Sequence, residues 1–423
     1  MQDSKKEGSG NQWSRRRVLQ AAGASVAGGG LSLAMPGIVR AQGSGPIKLG
    51  LVFAKQGVWT VQGQQLADGA KMALAKHGNK ILGQDIEVLW YDEPNPQGAQ
   101  QNVQKLMAED KVAAVIGGSN SGTALAMASV AARVGVPFLT PNAAAAAVTG
   151  ADCNPYTFRT LTTTMVASRA MAPALLELGK NWYYLTANYA YGQDIYRSMS
   201  MLLNEAQGKE LGHDKAPLGT TDYSSFILKV RQAKPEVLML GLPGGDLSTF
   251  LKQWTEMGMK GKIPVACPII GDADLWSVGP EAATGYYGKP WHFSTPSNPP
   301  ADQEFAAAYL AEHDSPAPDK AWLGWFTMRA LIAGIEKADS FEPAAIAAGL
   351  EVARIDDGGV PAGYRAWDHQ MLRQCMVFKV KDQITDEWDW LDLVAQEPKN
   401  PTPENLDALF GSKEEIGCKM ASR

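Results

Sequence analysis

Apolar runs of strand length alternate with helical segments from residue 47 onward, in units of about 30 residues. IKLGLVF (47–53) reads as a strand, Gln65 to His77 as a helix with Leu66, Ala70, Ala73 and Leu74 on one face, and IEVLWYD (86–92) as the next strand. Val103, Leu106 and Met107 mark a second helix. VAAVIG (112–117), a helix from near Thr123 and VPFLT (136–140) continue the rhythm. Parallel strands need long crossovers, so this alternation demands a mostly parallel sheet covered by helices on both faces.

The rhythm then restarts. A helix at 164–178 precedes NWYYLTA (181–187), a helix from Gln193, a short strand near 216–220 and a helix opened by Asp222. EVLML (236–240), the helix Asp246–Met257 and IPVACPII (263–270) follow, then the helical stretch 301–337 and the alternating QCMVFKVK (374–381) and EWDWLDLV (387–394). A chain of 423 residues exceeds what one core usually supports. Two successive α/β lobes are expected, with residues 398–423 wrapping the surface.

The first 41 residues are of another kind. Ser14-Arg15-Arg16-Arg17 precedes a short apolar stretch rich in Gly and Ala, then Val39-Arg40-Ala41. This pattern is a secretory leader of the twin-arginine type, with cleavage expected after Ala41 and a periplasmic destination. Its apolar core is too short and glycine-rich for a membrane span. Removing its six Lys/Arg and two Asp/Glu leaves 33 basic against 42 acidic residues. A mildly acidic body without a basic stripe argues against nucleic acid as a partner.

Cys153, Cys267, Cys375 and Cys418 form no C-x-x-C pair, which argues against zinc or redox chemistry. In an oxidising compartment they suggest one or two disulfides, in any of three complete connectivities.

IGGSNSGTALA (116–126) is the run with most chemical character. Small and polar residues where a strand meets a helix suit an anion cradle, in which the Ser121 hydroxyl and the amides of Gly122 and Thr123 hold a carboxylate. Helix capping by Ser121 explains the same residues. A serine-hydrolase elbow needs Gly-x-Ser-x-Gly, and the centre between Gly118 and Gly122 is Asn120. Neither a P-loop, nor H-E-x-x-H, nor a catalytic or metal-ligand spacing of the five histidines is present. The expectation is a binding protein with no enzymatic activity, metal or cofactor.

YDEPNPQGAQQNVQKLM, IGGSNSGTALA, VGVPFLTPNA, CNPYTFRT, YAYGQD, DYSSFILKV and AWLGWFTMRAL occur in order along the chain. They resemble the signatures of periplasmic solute-binding proteins of the branched-chain amino acid (Leu/Ile/Val-binding, type I) ABC transporter family, from about Ile47 to Cys418. The resemblance implies two Rossmann-like lobes joined by a three-segment hinge. Lobe one would hold 47–160 and 293–366, and lobe two 161–292 and 367–397. The protein would be a monomer that closes on a small molecule and presents it to permease subunits in the inner membrane. Ser121 matches the family's carboxylate-binding serine, Asn142 and Ala144 lie in its second lobe-one loop, and Tyr191 matches its lobe-two tyrosine. Cys153–Cys418 follows from the places of the relatives' cysteines, which leaves Cys267–Cys375 as a second pair.

Departures from the family pattern shape the ligand expectation. Ala144 stands where a threonine is common, Thr164 where amino-acid binders have an acid, and Ile269 or Ile270 where they have a glutamate. Asp246 and Asp272 could replace those acids or cap local turns. A buried ammonium without a carboxylate is costly, so the expected ligand is a carboxylate with an aromatic or apolar body, walled by Trp59 and Tyr189. The alternatives are a branched-chain amino acid, an amide or urea, a sensor of the same fold, and, distantly, a secreted α/β hydrolase.

Overall fold

The computed structural model describes residues 45–357 and 360–420. The expected twin-arginine leader and cleavage after Ala41 lie outside the described residues.

The first sheet contains β1 (Ile47–Phe53), β2 (Lys80–Ile81), β3 (Gln84–Asp92), β4 (Ala114–Gly117), β5 (Phe138–Thr140) and β6 (Thr157–Arg159). Its order is β2-β3-β1-β4-β5-β6, parallel except for the short β2. Between these strands run α1 (Thr60–Lys76), α2 (Pro96–Ala108) and α3 (Ser121–Val134). Along β1, Leu49, Leu51 and Phe53 enter one apolar cluster and Val52 another. Both faces are buried, which is why the strand reads as a continuous apolar run.

The chain then enters a second sheet through α4 (Thr164–Leu178). There β7 (Asn181–Ala187), β8 (Lys209–Ala216), β9 (Val237–Gly241), β10 (Val265–Cys267) and β11 (Tyr286–Lys289) are parallel. Their connections carry α5 (Ala190–Glu205), α6 (Ser224–Ala233), α7 (Gly244–Glu256) and the short α8 (Asp272–Trp276). β8 is longer and earlier than the strand expected near 216–220. It lies at the edge of the sheet, so most of its residues, KELGHDKA, are polar or half-exposed and carry little apolar signal.

From β11 the chain returns to the first lobe as α9 (Pro300–His313), α10 (Asp319–Ala338) and α11 (Pro343–Val352). α10 crosses α1 at backbone contact: a methyl on Gly69 would stand 1.8 Å from the Ala321 carbonyl, and one on Gly324 2.0 Å from that of Leu66. After a small hairpin of β12 (Ile355–Asp357) and β13 (Val360–Ala362), the third crossing leads to the antiparallel β14 (Cys375–Val380) and β15 (Leu391–Glu397). The completed second sheet has the order β15-β14-β11-β10-β9-β7-β8. First and third crossings are bonded together, since the Arg159 amide donates to His369 O at 3.0 Å and the Met371 amide to Arg159 O at 2.9 Å.

The C-terminal segment forms α12 (Pro403–Phe410) and α13 (Lys413–Ile416), held by Arg169 on Leu409 O and Glu415 and by Arg365 on Asp407. It ends in the Cys153–Cys418 disulfide, with Cα atoms 5.7 Å apart. The second expected pair is corrected: Cys267 and Cys375 are free and buried. β11 separates their strands. Two strand spacings of about 4.8 Å already exceed the roughly 7 Å Cα separation that a disulfide spans.

Candidate functional site

The carboxyl ends of both parallel sheets face a cleft between the lobes, where α/β sheets place their ligands. It is narrow, with about 360 Å³ of space when the open solvent at its mouth is included. Lobe one contributes Trp59, Gln62, Asn120, Ser121, Asn142 and Ala144, with Lys320 from the start of α10. Lobe two contributes Tyr189, Tyr191, Pro243, Gly244, Ile269, Ile270, Gly271 and Asp274, while Leu161 lies on the first crossing.

The aromatic wall is continuous across the lobes. Trp59 meets Tyr189 edge-on with ring centres 6.3 Å apart, and Tyr189 lies 5.9 Å from Tyr191. The Tyr191 hydroxyl donates to Ile269 O at 3.2 Å. Burial, then the neighbouring Cys267, pushes its ionisation well above the ordinary tyrosine value, so it stays a neutral donor. The lobes touch as well: Gln62 Nε2 donates to Asp274 Oδ2 at 2.5 Å, and a methyl on Gly244 would stand 3.1 Å from Val58 O. Gln62 is held in turn by Asn142, whose Nδ2 donates to Gln62 Oε1 at 3.0 Å and to Ser119 O at 2.8 Å.

The glycine-rich turn is an anion cradle, filled by the protein itself. The buried Glu93 carboxylate accepts from the amides of Gly118 and Ser119, from the Ser119 and Thr123 hydroxyls and from Asn120 Nδ2. Burial pushes Glu93 up to about 7 against the opposing pull of these donors. The cap of α3 is Asn120, whose Oδ1 accepts the amides of Gly122 at 3.0 Å and Thr123 at 3.1 Å. Those two amides, expected to meet a ligand, are therefore occupied, and neither residue lines the cleft. Ser121 does line it. Its Oγ accepts the amides of Ala144 and Ala145, each at 3.2 Å, which leaves its one hydrogen to donate.

Of the remaining expected residues, Trp59, Asn142, Ala144 and Tyr191 meet at the cleft, whereas Thr164, Asp246 and Asp272 are not among its lining. Thr164 is fully buried at the start of α4, with its amide on Ala144 O. Asp246 accepts the Gly219 amide at 3.1 Å with each oxygen, and burial pushes it up to about 6. Asp272 belongs to a buried charge cluster behind the cleft. Its Oδ1 meets Lys289 Nζ at 2.5 Å and His292 Nδ1 at 3.3 Å. Asp272 and Asp319 also exchange carboxylates and amides, 2.8 Å each way, which ties α8 to α10. Burial opposes ionisation of Asp272, but Lys289 and His292 hold it well below the usual carboxylate range.

Three polar lining residues escape sequence reasoning. Asp274, two positions past the acid expected, carries the lobe-two carboxyl of the cleft. Gln62 lies on the first turn of α1, and Lys320 follows Pro318 and Asp319 ahead of an apolar run, where a lysine reads as a solvated helix start. The only hint was position, near the amino ends of helices facing strand ends. Among the described residues there is no cluster of three potential metal ligands and no helix long and apolar enough to cross a membrane.

This architecture matches a known family. The family model described as "Periplasmic binding protein" covers residues 46–385. The chain belongs to the periplasmic binding protein family. Its curated relatives include Leu/Ile/Val-binding protein homolog 6 of Brucella melitensis, 25% identical over 266 residues, or 61% of this chain and 67% of that one. A periplasmic binding protein from Burkholderia mallei superposes with a TM-score of 0.81 at 26% identity, covering 89% of this chain and 99% of that one. A solute-binding protein of an ABC transporter from R. palustris, solved in complex with benzoate, gives 0.77 at 21% identity, covering 89% and 100%. Among proteins of this fold are solute-binding proteins of ABC transporters, as the R. palustris structure shows.

Proposed function

We propose that this protein captures a small carboxylate with an aromatic or apolar body and delivers it to an ABC importer by closing its two lobes. The observation that carries the reading is the cleft itself. An aromatic wall of Trp59, Tyr189 and Tyr191 runs across both lobes, facing the undonated hydroxyl hydrogen of Ser121. Ser121 donates to the carboxylate end, Asn142 holds Gln62 beside it, Ala144 lets it approach the backbone, and the rings enclose the body. Asn120, Gly122, Thr123 and Glu93 shape the turn that carries Ser121. The benzoate-bound protein from R. palustris is support of a limited kind, since its likeness extends to the fold. The protein acts without chemistry on its ligand, as a monomer, after twin-arginine export and cleavage behind Ala41.

Calorimetry with benzoate, 4-hydroxybenzoate, phenylacetate, leucine and valine tests the reading. Aromatic acids should bind, and Ser121→Ala should weaken them at least tenfold. Binding of leucine or valine with none of the acids overturns it. That second outcome has its own structural support, because Asp274 offers the cleft a lobe-two carboxyl suited to an ammonium. Amino-terminal sequencing of the exported protein should begin at Gln42.

A further inference from the structure

Two ionisable side chains face the cleft from opposite lobes and have no part in the reading above. Lys320 is 2% exposed, and its Nζ meets Asp319 Oδ2 at 3.0 Å. Asp274 lies on the other lobe, yet close by. A methyl on Gly271 would stand 2.7 Å from Asp274 Oδ2 and 3.3 Å from Lys320 Cε, so both side chains flank one glycine. Gln62 bonds Asp274 directly across the cleft at 2.5 Å.

Charge balance then distinguishes Asp274 from its neighbours. Lys289 and Lys320 offset Asp272 and Asp319, with Lys289 2.5 Å from the first and 3.6 Å from the second. His292 sits between Asp272 and Asp389 at 3.3 and 3.5 Å. Asp274 has no lysine or arginine within ion-pair distance among the described residues, and Gln62 is its cross-cleft donor. When Asp274 is ionised, a ligand carboxylate at Lys320 would face a second buried carboxylate, an arrangement in which one of the two takes up a proton.

We infer that Lys320 is the ammonium that receives the ligand's carboxylate, and that Asp274 takes one proton from solvent as the ligand enters. Each monoanion thus binds together with one proton, and the buried cluster keeps its charge. The inference rests on the carboxylate reading of the cleft. Around the Asp274 carboxyl stand Lys320 and Asp319 of α10, Lys289 of β11 and Cys267 of β10; α1 brings Gln62, and α7 brings Ser248 onto its carbonyl. Burial pushes Asp274 up to about 7, so in the empty protein it is still partly ionised at neutral pH. Closure on an anion raises it further.

Calorimetry with benzoate in buffers of different ionisation enthalpy counts the protons. The wild-type protein should take up close to one proton per benzoate at pH 8, and its affinity should fall about tenfold from pH 6 to pH 8. Asp274→Asn should abolish both effects, and Lys320→Met should weaken benzoate at least tenfold at pH 6. Benzoate binding without proton uptake, or at full affinity in Lys320→Met, overturns the inference and leaves the carboxylate reading standing. Should Lys320→Met fail to fold, the proton count and Asp274→Asn decide alone. Failure of every aromatic acid to bind the wild-type protein overturns the underlying reading instead.

Discussion

Both carboxylate oxygens of Glu93 accept the amide hydrogen of Ser119, at 3.0 and 2.8 Å. The loop after β3 thereby organises the loop after β4, and Ser121 is delivered to the cleft wall from a turn pinned by an internal anion. Glu93→Ala would strand the amide of Ser119, whereas that of Gly118 keeps Val52 O at 3.2 Å, and a buried unpaired donor costs about 1–3 kcal/mol. A loss of about 1–3 kcal/mol in urea unfolding is expected.

The pH dependence of that contribution has a definite sign. Burial raises Glu93 from 4.5 to about 7, so the folded chain holds the proton more tightly between these values. Its contribution is complete below about 4.5 and is lost as pH climbs to 7. Glu93→Gln, neutral throughout, should therefore flatten the fall in stability between pH 5 and 7. An unchanged slope in urea titrations across that range would count against this assignment.

Helix α1 meets α10 with no room for a side chain at Gly69 or Gly324. Gly69→Ala and Gly324→Ala each force two backbones apart and should cost about 3 kcal/mol, the upper end for overpacking. Gly122→Ala is the control, since its added methyl meets nothing nearer than 3.4 Å. Equal melting temperatures for all three variants would refute the close crossing.

Lys289 is wholly buried between Asp272 and Asp319. Lys289→Met leaves Asp272 with His292 alone and Asp319 with Lys320 alone, and should destabilise by about 3 kcal/mol. Because the folded Asp272 carboxyl is depressed, its contribution is present above the ordinary carboxylate range and disappears as pH falls through the folded value. The variant should lose that margin, and its acid unfolding should begin at higher pH, as read by circular dichroism.

The cysteines differ in accessibility. Thiol titration of the unreduced, denatured protein should find Cys267 and Cys375 alone, and the native protein should react slowly because burial pushes these thiols up to about 11 and about 12. Cys418→Ser opens a loop with a sequence separation of 265 and should cost about 2–4 kcal/mol. Four thiols in the unreduced sample would exclude the disulfide.

Much of the fold is legible along the chain. β1 and β9 are apolar on both faces and announce themselves, whereas β8 at a sheet edge and the short β11, YYGK, do not. The site is legible only in part. The turn around Asn120 and Ser121 stands out by composition, but composition does not say which anion fills it, and Glu93 reads as an ordinary surface acid of the YDEPNP loop. Asp272 and Asp274 are likewise equivalent as letters. One faces Lys289 and the other the cleft because α8 turns between them.

The order of strands and helices, the expectation of an export leader and the absence of familiar catalytic motifs follow from local patterns, since apolar period, turn residues and charge runs act over a few neighbours. Which polar groups confront a ligand is decided by the meeting of two lobes. Gln62 and Asp274 are 212 positions apart and share a hydrogen bond only because three crossings bring the carboxyl ends of two sheets face to face. A hydrogen bond depends on placement within a few tenths of an ångström, and no pattern of neighbouring letters carries that information.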